Sequence, residues 1–299
     1  MRPLLEAPLS ACRPPPWATA LARKSLKDLS TVDAVFAAGA ALATLDALVR
    51  AEPPFAALWR RRLALDAACA SLQATGRPAD KATLRDALAF TSGGADPGPA
   101  GRVYRAWRAL ADGSRRWADM ADGLGAPVGD EGVALIAAQF RSQAPAPIAA
   151  AAAARTLAAA LNKPSLALGF AVADAVLAAR LGWSAVLPLL ASASTQVRPG
   201  EPPWEAACCA AYARAAARAC DLYAELARAE TRLRQVAPKL RAKGASAAVA
   251  ALLAEDALTT ASQIPGLSER GLRRLFDRLV GLGAVRELSG RATFRLYGL

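Results

Sequence analysis

Residues 268–283 read SERGLRRLFDRLVGLG and carry the clearest structural pattern in the chain. Apolar side chains recur there at the i, i+3, i+4, i+7 spacing of one helix face: Leu272, Leu275, Phe276, Leu279 and Leu282. Ser268 is a favourable N-cap because its hydroxyl can accept an otherwise unpaired backbone N–H. Gly283 suits the left-handed residue that follows many helices. The pattern predicts an amphipathic helix from Ser268 to Leu282.

The flanks of this helix predict a winged helix-turn-helix over residues 244–299. Ala245–Asp256 has a helical pattern, and Thr259–Ala261 begins a short second helix that ends at Pro265-Gly266. After Gly283 the apolar period changes from helical to alternating, which predicts two strands, at 285–288 and 293–297, around a turn at Ser289-Gly290. A hairpin directly after an arginine-bearing third helix is typical of a wing.

Arginines on the predicted helix indicate contact with DNA. In a helix-turn-helix, the helix after the turn lies in the major groove, where outward arginines reach guanine edges or phosphates. We therefore assign DNA contacts to the helix, the wing and the preceding linker: Ser268, Arg270, Arg273, Arg274, Arg291, Arg295, Arg241 and Lys243. Residues 244–299 hold seven arginines against five acids, a small surplus, so a protein-contact or structural role for this module stays open.

Composition places the rest of the chain in the all-α class. Of the 299 residues 54% are hydrophobic and only 6% aromatic, so the core is mostly alanine, leucine and valine, and alanine favours closely packed helices. We expect an Ala-rich multi-helix domain over 30–237, followed by a basic linker and the winged helix-turn-helix with its short β-hairpin over 238–299. Residues 1–29 are Pro-rich and predict a partly disordered arm with Trp17 as its anchor.

Periodicity, caps and proline or glycine breaks give the helices of this domain. The predicted segments are one that Ser30 or Thr31 caps and that runs to about Arg50, then Phe55–Thr75, roughly Asp80–Phe90, Arg102–Leu110, a short one at Trp117, Val133–Gln143, Pro145–Leu161, Leu166–Leu181, Ala185–Ser192 and Trp204 to about Val236.

The charge balance favours a polyanionic partner. The formal net charge is +12, although the preference for arginine over lysine also follows from GC-rich coding and carries no functional weight. Residues 231–254 contain no acid and five basic residues: Arg232, Arg234, Lys239, Arg241 and Lys243. This stretch either holds phosphates beside the winged helix or is a solvated joint, and the sequence leaves both open.

Several function classes are excluded or disfavoured. The chain has no histidine, which excludes His-based acid–base chemistry, Ser-His-Asp and Cys-His nucleophiles and nearly every catalytic zinc arrangement. Five cysteines without C-x-x-C spacing indicate reduced thiols in a cytoplasmic protein. No secretory signal is visible, and the most membrane-like run, 166–193, carries Asp174, Arg180 and Pro188. We expect that run to form two buried helices, and we expect no membrane partner.

Four aspartates lie inside apolar helical patterns and are the remaining candidates for a metal site: Asp46, Asp66, Asp174 and Asp221. None has the companion carboxylates or histidine of a metal-binding helical bundle. Arg50 and Arg62 stand four residues from Asp46 and Asp66, and such helix neighbours account for both. We expect no metal, no cofactor and no enzymatic activity.

Five stretches of the chain resemble the bacterial family of unknown function DUF1403: residues 45–54, 96–103, 173–183, 237–244 and 274–299. The resemblance implies no activity, and no functional residue follows from it. The C-terminal segment also resembles the winged helix that closes many Fic-type proteins. Their catalytic motif needs a histidine and a Gly-Asn-Gly-Arg stretch, which this chain lacks, so the resemblance implies shape alone.

Together these observations predict a non-enzymatic, DNA-associated winged-helix protein, either a transcriptional regulator or a plasmid-maintenance accessory factor. The helical domain would bind a protein partner or a second copy of the chain. The alternative is a protein-interaction adaptor with no direct nucleic-acid contact.

Overall fold

The computed structural model describes residues 12–91, 95–161, 165–193, 197–240, 243–289, 291 and 293–299. These ranges contain twelve α-helices, a 3-10 helix and two short strands. The helices are α1 (Pro16–Leu21), α2 (Thr31–Arg50), α3 (Ala56–Ala74), α4 (Lys81–Ala89), α5 (Gly98–Ala111), α6 (Trp117–Gly123), α7 (Asp130–Gln139), α8 (Ala146–Ala160), α9 (Leu166–Leu181), α10 (Trp204–Val236), α11 (Ala245–Ala254) and α12 (Glu269–Gly281). The 3-10 helix is Ala237–Lys239, and the strands are β1 (Arg286–Glu287) and β2 (Tyr297–Gly298). The predicted all-α class is confirmed.

Helix α10 is the long central element. It packs most extensively against α2 and also contacts α8, α1 and α3. Its first half buries mainly alanines and cysteines, and such small side chains let neighbouring helices approach closely. Two buried tryptophans join it to its neighbours, because Trp204 Nε1 donates to the Ala151 carbonyl of α8 at 2.8 Å and Trp59 Nε1 of α3 donates to the Ala219 carbonyl at 3.0 Å.

Local signals define most helix ends. Ser30 caps α2 by accepting the Asp33 N–H at 3.0 Å, and Asp80 caps α4 by accepting the Thr83 N–H at 2.7 Å. Gly182, with φ of +67°, ends α9 in the left-handed conformation. Of the two caps predicted for α2, the structure uses Ser30, and α2 ends at Arg50. Helix α10 begins at Trp204 and ends at Val236, as predicted, and the other confirmed helices differ from prediction by a few residues.

The segment after α9 is not the helix predicted at Ala185–Ser192. It is irregular, and the buried Asp174 carboxylate of α9 accepts the backbone N–H groups of Leu189 at 2.8 Å and Leu190 at 3.2 Å. The Asp174 carboxylate thus takes the place of the backbone carbonyls that would accept these two N–H groups in a helix. Pro188 has no backbone N–H and cannot donate a helical hydrogen bond.

The N-terminal segment differs in part from the expected arm. Residues 12–29 include α1, which packs on α2 and α10, and Ala18 and Ala22 are fully buried. The Trp17 ring stacks on Phe36 of α2 with ring centroids 4.9 Å apart, so Trp17 meets the domain where an anchor was predicted. Residues 1–11 lie outside the described ranges.

The C-terminal segment departs from the prediction between α11 and α12. The short second helix expected from Thr259 is absent, and turns occupy the region instead. Side-chain hydroxyls bind the local backbone there: Ser262 Oγ accepts the Thr259 N–H and Thr259 Oγ1 accepts the Ala261 N–H. Leu258 also exchanges backbone hydrogen bonds with Tyr297, which holds this stretch extended.

The hairpin is shorter than predicted. Strands β1 and β2 pair antiparallel over two residues each, with Glu287 opposite Tyr297, and the Leu288 N–H donates to the Leu296 carbonyl. The connection between β1 and β2 is therefore longer than the two-residue turn predicted at Ser289-Gly290. Gly290 itself lies outside the described residues.

Among the described helices, α2 alone has the length and apolarity of a membrane span, with mean hydropathy 1.7. The interior helix of a globular domain meets the same criterion, and the Ala34, Ala38 and Leu45 side chains of α2 are buried against the rest of the bundle.

Candidate nucleic-acid interface

Helix α12 is anchored on one face and open on the other. Ser268 Oγ accepts the Gly271 N–H at 3.2 Å, which confirms the predicted cap. The apolar stripe is buried, except that Leu282 is exposed just beyond the helix end. Phe276 stacks on Tyr297 of β2 with ring centroids 4.5 Å apart. The helix is thus positioned by its apolar face, and the opposite face lies in solvent.

Four arginines occupy the exposed face of α12: Arg270, Arg273, Arg274 and Arg278. Arg273 reaches Glu269 at 3.4 Å, one turn earlier. Within the described part of the chain, the other three make no ion pair and no side-chain hydrogen bond. Guanidinium groups in this state keep all their donors available for an external acceptor.

Lys243 lies beside the N-terminal end of α12. The adjacent Gly244 has φ of +95°, and a Cβ atom at that position would stand 2.6 Å from the Pro265 carbonyl oxygen. The backbone of residues 243–244 therefore abuts the turn that precedes Ser268, and the exposed Lys243 adds a positive charge there. Arg241, also assigned to the interface from the sequence, lies outside the described residues.

The arginines of the predicted wing are engaged within the protein. Arg291 donates to Asp86 of α4 at 2.5 Å, and its guanidinium carbon lies 5.5 Å from the centre of the Phe90 ring. Arg295 approaches Glu287 at 3.7 Å and donates to the Arg291 carbonyl at 3.1 Å. The structure therefore directs Arg291 and Arg295 to internal partners, unlike Arg270, Arg274 and Arg278 of α12.

A cluster that sequence reasoning missed joins the C-terminal segment to the helical body. We call Arg61, Arg62, Arg85 and Arg108 the arginine clamp. Asp256 is only 2% exposed. It accepts two hydrogen bonds from Arg85, at 2.7 and 3.0 Å, and forms an ion pair with Arg62. Arg62 also donates to the Leu299 carbonyl at 2.7 Å. Two arginines of α3 and α4 thus hold the residue that follows α11 and the end of the hairpin.

The other half of the clamp binds Glu255. Arg61 approaches Glu255 at 2.7 Å and donates to Asp112 at 2.9 Å, while Arg108 donates to Glu255 at 2.6 Å. The run Arg60–Arg62 and the pair Glu255–Asp256 are each visible in the sequence as local charge clusters. Nothing in their spacing indicates that they meet.

Burial and the arginine clamp shift the pKa of Asp256 in opposite directions. Burial alone would raise the pKa of this carboxyl, but the Arg85 hydrogen bonds and the Arg62 charge outweigh it and hold the pKa of Asp256 below its ordinary value. The aspartate is therefore ionised at neutral pH, as a clamp between charged groups requires.

The four aspartates considered as metal ligands have other partners. Asp46 binds Arg50 at 2.8 Å as predicted, and it also accepts the Trp183 indole N–H. Asp66 pairs with Lys81 at 2.5 Å and not with Arg62, which turns to Asp256. Asp221 pairs with Arg13 at 2.8 Å. Together with the backbone contacts of Asp174, these pairs account for all four, and the described residues contain no group of three or more potential metal ligands.

A family model described as a protein of unknown function, DUF1403, matches residues 7–299, which is nearly the entire chain. No curated protein matches.

Proposed function

The chain belongs to the DUF1403 family, and we propose that it is a non-enzymatic protein that binds duplex DNA through the exposed face of α12. The supporting observation is a contrast within one module. Its hairpin arginines, Arg286, Arg291 and Arg295, each have an acidic partner. Arg270, Arg274 and Arg278 have none among the described residues, although they lie on a helix with a well-packed apolar face.

The order of elements supports a winged helix as the scaffold. After α11, Leu258 is bridged to Tyr297, α12 follows, and β1 then pairs with β2, so three short extended stretches meet beside the exposed helix. Winged helices present their recognition helix to the major groove in this manner. The likeness to the C-terminal module of Fic-type proteins belongs to the same proposal and concerns shape alone.

The contacts divide between α12 and its N-terminal neighbourhood. Arg270, Arg273 and Arg274 face outward to reach base edges or phosphates. Lys243 stands beside the start of the helix, where the macrodipole and free backbone N–H groups also favour a phosphate. The net charge of +12 adds a general attraction to a polyanion. Arg291 and Arg295 contribute little in this arrangement because their guanidinium groups already meet acids.

The test measures binding of the full chain to a fluorescent duplex across a range of salt concentrations. The double variant Arg270→Ala/Arg274→Ala should bind more weakly, by roughly tenfold or more at low salt. The slope of log affinity against log salt should fall by about two, because each lost phosphate contact releases about one counterion fewer.

A matched control removes the same charge from the same module. Arg286→Ala/Arg295→Ala deletes two arginines that have acidic partners and should leave the salt slope unchanged. Equal weakening by the two double variants would show that only net charge matters and would contradict an interface on α12. Absence of binding by the unmodified chain would remove the proposal altogether.

A second candidate function, a protein-interaction adaptor, is favoured by an exposed apolar stripe on α2. Val32 is 78% and Phe36 63% exposed, and the small residues Gly39, Ala43 and Ala47 continue the stripe along the exposed side of the helix. Large residues at one end and small ones at the other suit antiparallel packing against the same stripe of a second copy. Sedimentation velocity should then show a dimer that Phe36→Asp dissociates; a monomer at all concentrations contradicts self-association through α2.

A further inference from the structure

A cleft of about 390 Å³ lies where four segments of the helical body meet. Glu52 and Pro53 follow α2, Arg60 projects from α3, Asp112 and Gly113 follow α5, and Ser184 follows α9. The volume is within the range of small-molecule sites. The cleft is separate from α12, and nothing argued for DNA binding uses it.

Arg60 lines this cleft with unused hydrogen-bond donors. Its Nε donates to the Ala111 carbonyl at the end of α5, at 3.2 Å, which orients the guanidinium plane. Within the described residues its two Nη groups make no hydrogen bond, and Arg60 forms no ion pair. Burial lowers the pKa of Arg60, and the nearby charges of Asp112 and Glu52 oppose that effect. The side chain therefore stays charged, half-buried and without an ionic partner.

Glu52 occupies a backbone position that disfavours its residue type. Its φ is +40°, in the left-handed region that usually takes glycine or asparagine after a helix, and Pro53 follows it. Such a conformation costs of order 1 kcal/mol or more in a non-glycine residue. The carboxylate accepts the Ser184 hydroxyl at 2.8 Å, which directs it toward the segment on the far side of the cleft. Glu52 forms no ion pair with any described residue.

The second carboxylate of the cleft is already neutralised. Asp112 accepts hydrogen bonds from Arg61 at 2.9 and 3.3 Å and lies 3.6 Å from Arg108. One positive group, Arg60, and one negative group, Glu52, therefore remain without ionic partners. Their side chains are close enough for the charge of Glu52 to raise the pKa of Arg60, yet they do not pair with each other.

We propose that this cleft binds a small zwitterion, whose carboxylate pairs with the Nη groups of Arg60 and whose ammonium group pairs with Glu52. A simple anion or a simple cation would satisfy one of these side chains and leave the other unpaired. A molecule that carries both charges, such as a free amino acid, satisfies both at once, and a guanidinium with two free Nη groups matches the geometry of a carboxylate.

Isothermal titration calorimetry of the full chain tests this with glycine, β-alanine and 4-aminobutanoate, whose charges stand at increasing separations. Acetate and methylammonium are the single-charge controls. At least one of the three zwitterions should bind at least about tenfold more tightly than either control ion. No binding by any of the three, or binding of acetate or methylammonium as tight as that of the best zwitterion, overturns the proposal.

Variants at the two charges then locate the site. Glu52→Gln and Arg60→Gln should each weaken binding at least about tenfold, whereas Arg116→Gln, which removes an exposed arginine outside the cleft, should not. Glu52→Gly should also lose binding but keep or raise the melting temperature, since glycine tolerates the positive φ. Binding unaffected by both Glu52→Gln and Arg60→Gln places the zwitterion elsewhere and overturns the assignment.

Discussion

Two buried aspartates show how surroundings decide the state of one chemical group. Asp174 has no basic partner among the residues that the structure describes, and burial raises its pKa to about 8 in spite of the N–H groups of Leu189 and Leu190. Asp256 is almost equally buried, but Arg62 and Arg85 hold its pKa below the ordinary value. Asp174 is therefore mostly protonated at neutral pH and holds an irregular segment in place. Asp256 is ionised and joins the residues after α11 to α3 and α4.

The effect of Asp174→Asn on the free energy of unfolding should depend on pH, because Asp174 is protonated in the folded protein. Because the folded pKa of Asp174 is raised, the folded protein binds a proton that the unfolded chain has lost between about pH 4 and pH 8. Stability from this group therefore falls as pH rises, by up to about 1.4 kcal/mol per pH unit. Asparagine imitates the protonated acid, so in urea denaturation the variant should match the unmodified protein at about pH 4 and exceed it by a growing margin as the pH rises to 8. A constant difference across this range would contradict a protonated Asp174.

At the scale of elements, α12 owes its orientation to contacts at its N-terminal end and along one face. Phe276 stacks on β2, Ser268 caps the first turn, and the turn before it rests on Gly244. The exposed arginines are thus presented by a helix whose position depends on one close backbone approach.

Gly244→Ala should disturb that approach. The methyl group would meet the Pro265 carbonyl oxygen at 2.6 Å, and alanine disfavours φ of +95°, so the free energy of unfolding should fall by about 2 kcal/mol or more. Gly283→Ala is the matched control, because its φ is +66° but its Cβ would lie in open space. Chemical denaturation should show the larger loss for Gly244→Ala, and equal losses would mean that the contact with Pro265 has no role.

At the scale of the whole molecule, the C-terminal segment and the helical body form one continuous core. The buried cluster includes residues of α3, α10, α12 and β2. The arginine clamp adds charged contacts at the same junction, and Arg291 extends them to α4. Contacts between α11 and α3 thus cross the position near residue 238 at which the sequence predicts a domain boundary.

Asp256→Asn should weaken this junction. It leaves Arg62 and Arg85 buried without their anion, so the loss of stability at pH 7 should be about 3 kcal/mol. The pKa of Asp256 is depressed, so its contribution is present above the unfolded value of about 3.8 and disappears as pH falls through the folded value. The difference between variant and unmodified protein should accordingly shrink at pH 3. Asp119→Asn, which affects an exposed pair, should cost under about 0.5 kcal/mol, and a similar cost for Asp256→Asn would contradict the clamp.

Helix positions could be predicted from the sequence because they depend on neighbours within a few residues. The apolar stripe and serine cap define α12, and the proline before Trp204 and the one after Val236 bracket α10. The helices predicted at Ala185–Ser192 and from Thr259 to Pro265 do not form for one reason: groups outside a helical hydrogen-bond pattern bind their backbone N–H groups. In the first, a distant carboxylate takes the backbone N–H groups, and in the second, serine and threonine hydroxyls together with the bridge to Tyr297 do so.

By itself, then, the sequence determined the helical class, most helix ends, the amphipathic α12 and the absence of histidine chemistry. Only the tertiary structure decided which charges are free. The Arg85–Asp256 and Arg62–Leu299 contacts span 171 and 237 residues, and the Arg291–Asp86 contact spans 205. In a chain with 37 basic and 25 acidic residues, composition cannot say which pairs meet. The pairs that form follow from packing of the apolar faces. This packing brings some charges together and leaves Arg270, Arg274, Arg278, Arg60 and Glu52 without ionic partners inside the described protein.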